Sequence, residues 1–140
     1  MLERRKARKL ALEILYQKEI TGRSLEKIME DRAYFEESEP LSDFSLRIIQ
    51  GVLKHQKQIN EMIEKYTDNW ALERMPILDK NIIRMGIYEM LYEEDIPFSV
   101  SINEAVELAK IFGMKDSSRF VNGILGRIAL ELRGSHVGRE

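Results

Sequence analysis

The residues of this chain best suited to chemistry are cations and carboxylates, and they are unevenly distributed. Residues 1–9 hold Arg4, Arg5, Lys6, Arg8 and Lys9 against Glu3, a net +4. The rest of a 140-residue chain whose total charge is −2 therefore carries −6. A helix N-terminus favours acids and disfavours cations by about 0.3–1 kcal/mol each. Five cations in the first two turns of a helix work against that preference, and a basic arm on an acidic body suits a polyanion partner. A second group is Asp116-Ser117-Ser118-Arg119-Phe120. Its Asp/Ser run can cap a helix or offer backbone N–H groups to a phosphate. Phe120 beside Arg119 can face a base, or Phe120 can belong to the core. A third group is Leu78-Asp79-Lys80-Asn81 at a helix start. There Asp79 is explained by the macrodipole alone, and the same polar groups can also meet base edges at an RNA surface.

Catalytic chemistry is poorly supplied. The chain has no Cys, which excludes disulfides, thiolate metal sites and a Cys nucleophile. Its two His, His55 and His136, are far apart. Glu104 and Glu107 fall at i, i+3 with Lys110 three residues on, but no cleft-lining His or ligand set accompanies them. No phosphate-cradling glycine loop is present. The expectation is a non-enzyme with no cofactor and no metal. No apolar run approaches the roughly 18 residues of a membrane span, and a charged helix stands where a secretion signal would carry its apolar stretch. A cytoplasmic protein with no membrane partner is expected.

The elements that must position these groups read as helices throughout. Apolar residues make up 44% and charged residues 33%, ordinary values for one globular domain. The periodicity predicts a first helix over about 3–20, with Ala7, Leu10, Ala11 and Ile14 on one face. Arg5, Lys9, Leu12 and Tyr16 then lie on the other side, where Leu12 and Tyr16 suit stacking, packing or self-association. A second helix starts at the Ser24 cap and runs to about Phe35, followed by an acidic loop, Glu36 to Pro40. A third starts near Ser42 or Asp43. Ile59, Met62, Ile63 and Tyr66 continue its periodicity, in the same helix or a short fourth one. Thr67-Asp68-Asn69 and Pro76 mark boundaries. Residues 78–94 are apolar over most of their circumference, which predicts a central buried helix with Gly86 permitting a close neighbour. A sixth helix is expected over 101–112, opened by a Ser101/Glu104 capping box and stopped by a left-handed Gly113. A seventh spans about 117–133, with Asn122-Gly123 inside it, and 134–140 reads as a tail. The seven Met residues read as core filler. The fold class is all-α: about seven helices in two small packed bundles, near 3–67 and 77–133, within one domain.

Three segments carry a resemblance: R-R-K-A-R-K-L-A-L-E-I-L-Y from Arg4 to Tyr16, I-L-D-K-N-I-I-R-M-G-I-Y-E-M from Ile77 to Met90, and S-I-N-E-A-V-E-L-A-K-I-F-G followed by F-V-N-G. In order and spacing the chain resembles the NusB family of bacterial transcription antitermination factors over essentially its full length. The resemblance implies an all-helical protein of two bundles that binds the boxA element of nascent ribosomal RNA transcripts. It implies NusE, a small-subunit ribosomal protein, as heterodimer partner, with other Nus factors and RNA polymerase in the larger complex. It implies no catalysis and no cofactor. By position, the family's arginine-rich start falls on Arg4, Arg5, Lys6 and Arg8, its RNA-contacting aromatic on Phe120, and its associated polar residues on Asp116 and Ser117. Its helix-start acid falls on Asp79 and its aromatic on Tyr16. Lys80 and Arg119 adjoin these positions. Lys6 stands where Arg is common, which keeps the charge and loses the fork. A related module precedes the catalytic domain of RNA cytosine methyltransferases, so RNA recognition for such an enzyme is the alternative. Asp79, Glu89, Glu93, Glu94, Glu104 and Glu107 are expected as acids for a basic NusE partner, away from the arm.

Overall fold

Helix boundaries follow local chemistry. A computed structural model of the chain describes residues 2–33, 40–67 and 72–134. Among these lie seven α-helices and no strand: α1 (Leu2–Thr21), α2 (Leu25–Ala33), α3 (Asp43–Lys54), α4 (Gln56–Tyr66), α5 (Ile77–Tyr92), α6 (Phe98–Phe112) and α7 (Ser117–Gly134), with a 3₁₀ turn at Leu72–Arg74. The expected end of α2 at Phe35, most of the acidic loop, the Asp68-Asn69 boundary and the tail after Gly134 lie outside the described residues. Ser24 caps α2, its Oγ accepting from Lys27 N at 3.2 Å. Ser42 caps α3, accepting from Ser45 N at 3.1 Å. The periodicity that left one helix or two open resolves into two, broken at His55 (φ −105°, ψ 18°).

The start and stop of α6 correct the expectation. The helix begins after Pro97, whose carbonyl accepts from Val100 N and Ser101 N. Proline cannot donate to a preceding turn and is pre-set for a helix start. Ser101 is therefore inside the helix, 1% exposed, and donates its hydroxyl to Glu89 at 2.9 Å in place of capping. Gly113 is extended (φ −89°, ψ −173°), so no left-handed stop exists there. Close approach explains the glycine: a Cβ would sit 2.5 Å from the Ser117 Cβ and 2.7 Å from the Ala109 carbonyl.

The centre of the molecule is α5, which is buried at every position from Asp79 to Met90. It packs against α1, α3, α4, α6 and α7, and at Gly86 an added Cβ would come within 2.7 Å of Leu125 on α7. Five of its buried residues are polar or charged, and α1 answers most of them. Near the end of α1, Glu19 takes Lys80, Arg84 NH1 at 2.9 Å and Asn81 Nδ2 at 3.2 Å. Near its start, Arg8 takes Glu89 through two bonds of 2.8 Å. The pairing of opposite ends makes α1 and α5 antiparallel.

Because α1 is covered by α2, α3 and α5, its buried arc is wider than one stripe. Leu12 is 1% exposed, against the expectation that it faces away from the core with Tyr16, which is 37% exposed. A self-association surface built on Leu12 is removed. Met75, Met85 and Met90 are core as expected, but Met114 is 72% exposed. Among the described residues no helix is long and apolar enough to cross a membrane.

Candidate nucleic-acid interface

The basic arm is the start of α1, and its cations have been given different tasks. Arg4 NH2 bonds Asp95 at 2.9 Å on the surface. Arg5 uses only its Nε, at 3.0 and 3.1 Å from the two oxygens of Glu104. That hydrogen bond and the carboxylate's charge raise the Arg5 pKa. Lys9 stands 5.9 Å over the ring of Phe112. Lys6 is exposed and lines, with Arg5, Lys9, Leu10, Glu107 and Ile111, a groove of about 540 Å³ between α1 and α6.

Arg8 corrects the sequence reading. Its side chain is 4% exposed and held bidentately by Glu89, which is 3% exposed and also accepts from Ser101. A guanidinium so committed is an internal clamp on α1, α5 and α6 and is not presented to a phosphate. Lys80 is likewise buried against Glu19. Burial pushes the Glu19 carboxyl up, but Lys80, Arg84 and Asn81 together outweigh that and hold it below its ordinary value. Asp79 is 4% exposed, with one carboxylate oxygen lacking a hydrogen-bond partner among the described residues. Ser117 is also buried, its Oγ accepting from Met114 N at 2.8 Å. The run of residues that looked alike in the sequence is thus split by burial.

The helix beside the arm, α6, leads from it toward the start of α7. That helix passes from Glu104, beside Arg5, to Phe112, beneath Lys9, and the chain then turns through Gly113 into α7. Asp116, exposed, immediately precedes α7, whose first turn carries the exposed Arg119 and Phe120, half-buried against the core edge. Asn122 and Gly123 follow, both exposed, with open space where a Gly123 side chain would stand. Asp79 and Lys80 lie toward the other end of α1, since Lys80 pairs with Glu19; eleven residues of helix separate that point from Arg8, about 16 Å.

Sequence reasoning missed the support under the arm. Phe44 of α3 lies beneath three guanidiniums, with Arg4, Arg8 and Arg47 at 4.9, 5.2 and 5.5 Å from its ring centre. Arg47, half-exposed, is fixed by Glu93 at 3.0 and 3.1 Å, and the Tyr88 hydroxyl donates to the same carboxylate at 2.6 Å. The signal available was Arg47 three residues after Phe44 on one helix, where a cation–π pair can form. The expected acidic face for a basic protein is also corrected. Asp79, Glu89 and Glu93 are buried, while Glu104 and Glu107 line the groove beside the arm; Glu94 is exposed.

A protein-family model described as the NusB family matches residues 5–130. The chain belongs to the NusB family. A NusB-family relative from Thermodesulfovibrio yellowstonii, named transcription antitermination protein NusB, is 43% identical over 142 residues, covering 93% of this chain and 93% of that protein. The solved NusB of T. maritima superposes with a TM-score of 0.79 at 37% identity, covering 91% of each chain. A solved complex described as antitermination factors NusB and NusE with dsRNA superposes with a TM-score of 0.78 at 22% identity, covering 91% of this chain and 96% of its counterpart; that likeness is one of fold. NusB-family membership and the all-α architecture therefore agree.

Proposed function

We propose that this chain is a transcription antitermination factor that binds boxA RNA of nascent ribosomal transcripts together with NusE and helps RNA polymerase avoid premature termination. It acts by binding, in the cytoplasm and alongside other Nus factors. The relatives' shared name supports the process, and the NusB–NusE–RNA complex of a fold-mate supports the partners. The observation that carries the RNA site is the α1–α6 groove lined by Arg5, Lys6 and Lys9, with Arg4 beside it on α1 and with α6 running on through Gly113 to Arg119 and Phe120 at the start of α7. Cations there neutralise phosphates and release counterions, and Phe120 offers a face to a base. Asp116 and Tyr16 are exposed and available to RNA, Arg8 holds Glu104 at the groove from within, and the buried Ser117, Asp79 and Lys80 act on the fold and not on the ligand.

The test is calorimetric titration of NusE into this protein with and without saturating boxA RNA. If both ligands bind one complex cooperatively, RNA must raise the affinity for NusE by the factor by which NusE raises the affinity for RNA. Absence of NusE binding in both titrations would sink the heterodimer. Absence of RNA binding with NusE present would sink the RNA site.

A further inference from the structure

The two surface arginines of the arm are held in different ways. Arg4 is engaged through NH2, one of the terminal nitrogens that a phosphate would need. Arg5 is engaged through Nε alone, and neither terminal nitrogen has a protein partner among the described residues. A guanidinium gripped at Nε keeps its terminal fork in a fixed direction, which is the geometry that pairs bidentately with phosphate oxygens. Arg5 is 58% exposed while Glu104 is 12% exposed, so the carboxylate sits underneath and the fork points outward beside the α1–α6 groove. Glu104 is itself steadied by Arg8 NH1 at 3.4 Å, and Arg8 is locked to Glu89. The chain Glu89–Arg8–Glu104–Arg5 runs from the core to solvent.

We infer that Glu104 is a positioning residue for RNA: it presents the Arg5 fork to a backbone phosphate lying at the mouth of the α1–α6 groove. The inference rests on the reading of the arm as an RNA-binding surface and adds a residue from α6 to it. It makes an unusual demand on sign. Glu104 is an acid beside a polyanion site, so simple electrostatics requires its neutralisation to tighten RNA binding. A positioning role requires the reverse, because an arginine freed from its carboxylate must be ordered again when the phosphate arrives.

The experiment is a double-mutant cycle on a boxA-type single-stranded RNA oligonucleotide, read by fluorescence anisotropy at fixed salt. Arg5→Gln is expected to weaken binding by about tenfold, as loss of a charge-assisted bidentate contact does. Glu104→Gln, close to isosteric, is expected to weaken it by about threefold. In the Arg5→Gln background the Glu104 change is expected to have no further effect, since it acts through Arg5. Arg5→Lys is the second probe: a lysine has no Nε fork to orient, so Glu104→Gln is expected to cost nothing there either. Tighter binding by Glu104→Gln, or the same loss with and without Arg5, would overturn the inference while leaving the arm intact as an RNA surface. Unchanged binding by Arg5→Gln itself would remove Arg5 from the RNA-binding reading, and this inference with it.

Discussion

At the scale of single residues, burial decides which of the chemically similar groups can work on a ligand. Arg5 and Arg8 are one helical turn apart, yet one is exposed and the other is enclosed with Glu89. Phe120 is intermediate: it touches the core edge and is not enclosed by it. Phe120→Ala is therefore expected to weaken boxA RNA binding by about 1–3 kcal/mol, the value of a lost base stack. Its thermal cost should stay well below the roughly 3–5 kcal/mol of emptying an enclosed Phe site. Anisotropy and thermal melting on the same preparation check both numbers. A variant that melts far earlier and binds normally when folded would make Phe120 a core residue.

The helix pair α1 and α5 is the element-scale unit, because it ties the arm to the core at one end and the Glu19 cluster at the other. Arg8→Ala leaves Glu89 buried without its cation and is expected to cost about 3–5 kcal/mol of stability. Arg8→Met with Glu89→Leu should recover most of that loss, since well-packed apolar replacements of buried pairs are often neutral or better. Urea midpoints of the single and double variants check it; an equal loss in both would mean that the pair matters through packing alone. At the other end, the Glu19 pKa is depressed in the folded state. A depressed carboxyl adds stability above its unfolded pKa, and that stability is lost as pH falls through the folded value. Burial likewise opposes, and Arg47 with Tyr88 outweighs burial in, the lowering of Glu93. Stability should thus fall as pH drops below the ordinary value of 4.5. Glu19→Gln should be less stable at neutral pH and lose less on acidification. Denaturation midpoints across that range decide it, and parallel curves would remove Glu19 from the linkage.

For the whole molecule, the relevant quantity is how many arm cations reach phosphates when the fold stays intact. Deleting the arm outright would also delete Arg8, and with it the clamp on α5, so substitution is the cleaner probe. Neutralising Arg4, Arg5 and Lys6 together as Gln should flatten the slope of log K against log salt by about two units, at roughly 0.7 per phosphate on a single strand. The melting temperature should change little, because exposed ion pairs such as Arg4–Asp95 contribute weakly to stability. An unaltered slope would place the electrostatic contact elsewhere on the molecule.

The helical periods, the caps at Ser24 and Ser42, and the apolar circumference of residues 78–94 each depend on neighbours within a few residues. They determined the all-α class, the central place of α5 and most helix ends. The motifs from Arg4 to Tyr16 and from Ser101 to Gly123 determined the family by their order and spacing. Only the tertiary structure decided what those motifs' residues do. Ser101 and Glu104 fit a capping box by spacing, but Pro97 starts the helix earlier and their partners come from α5 and α1. Leu12 lies off the first apolar stripe, but α1 is covered on more than one side. Arg8 is one of five neighbouring cations until Glu89, 81 positions away in the chain, meets it in the core. A buried charge takes its role from the partner that desolvation forces on it, and that partner is set by how helices distant in sequence pack.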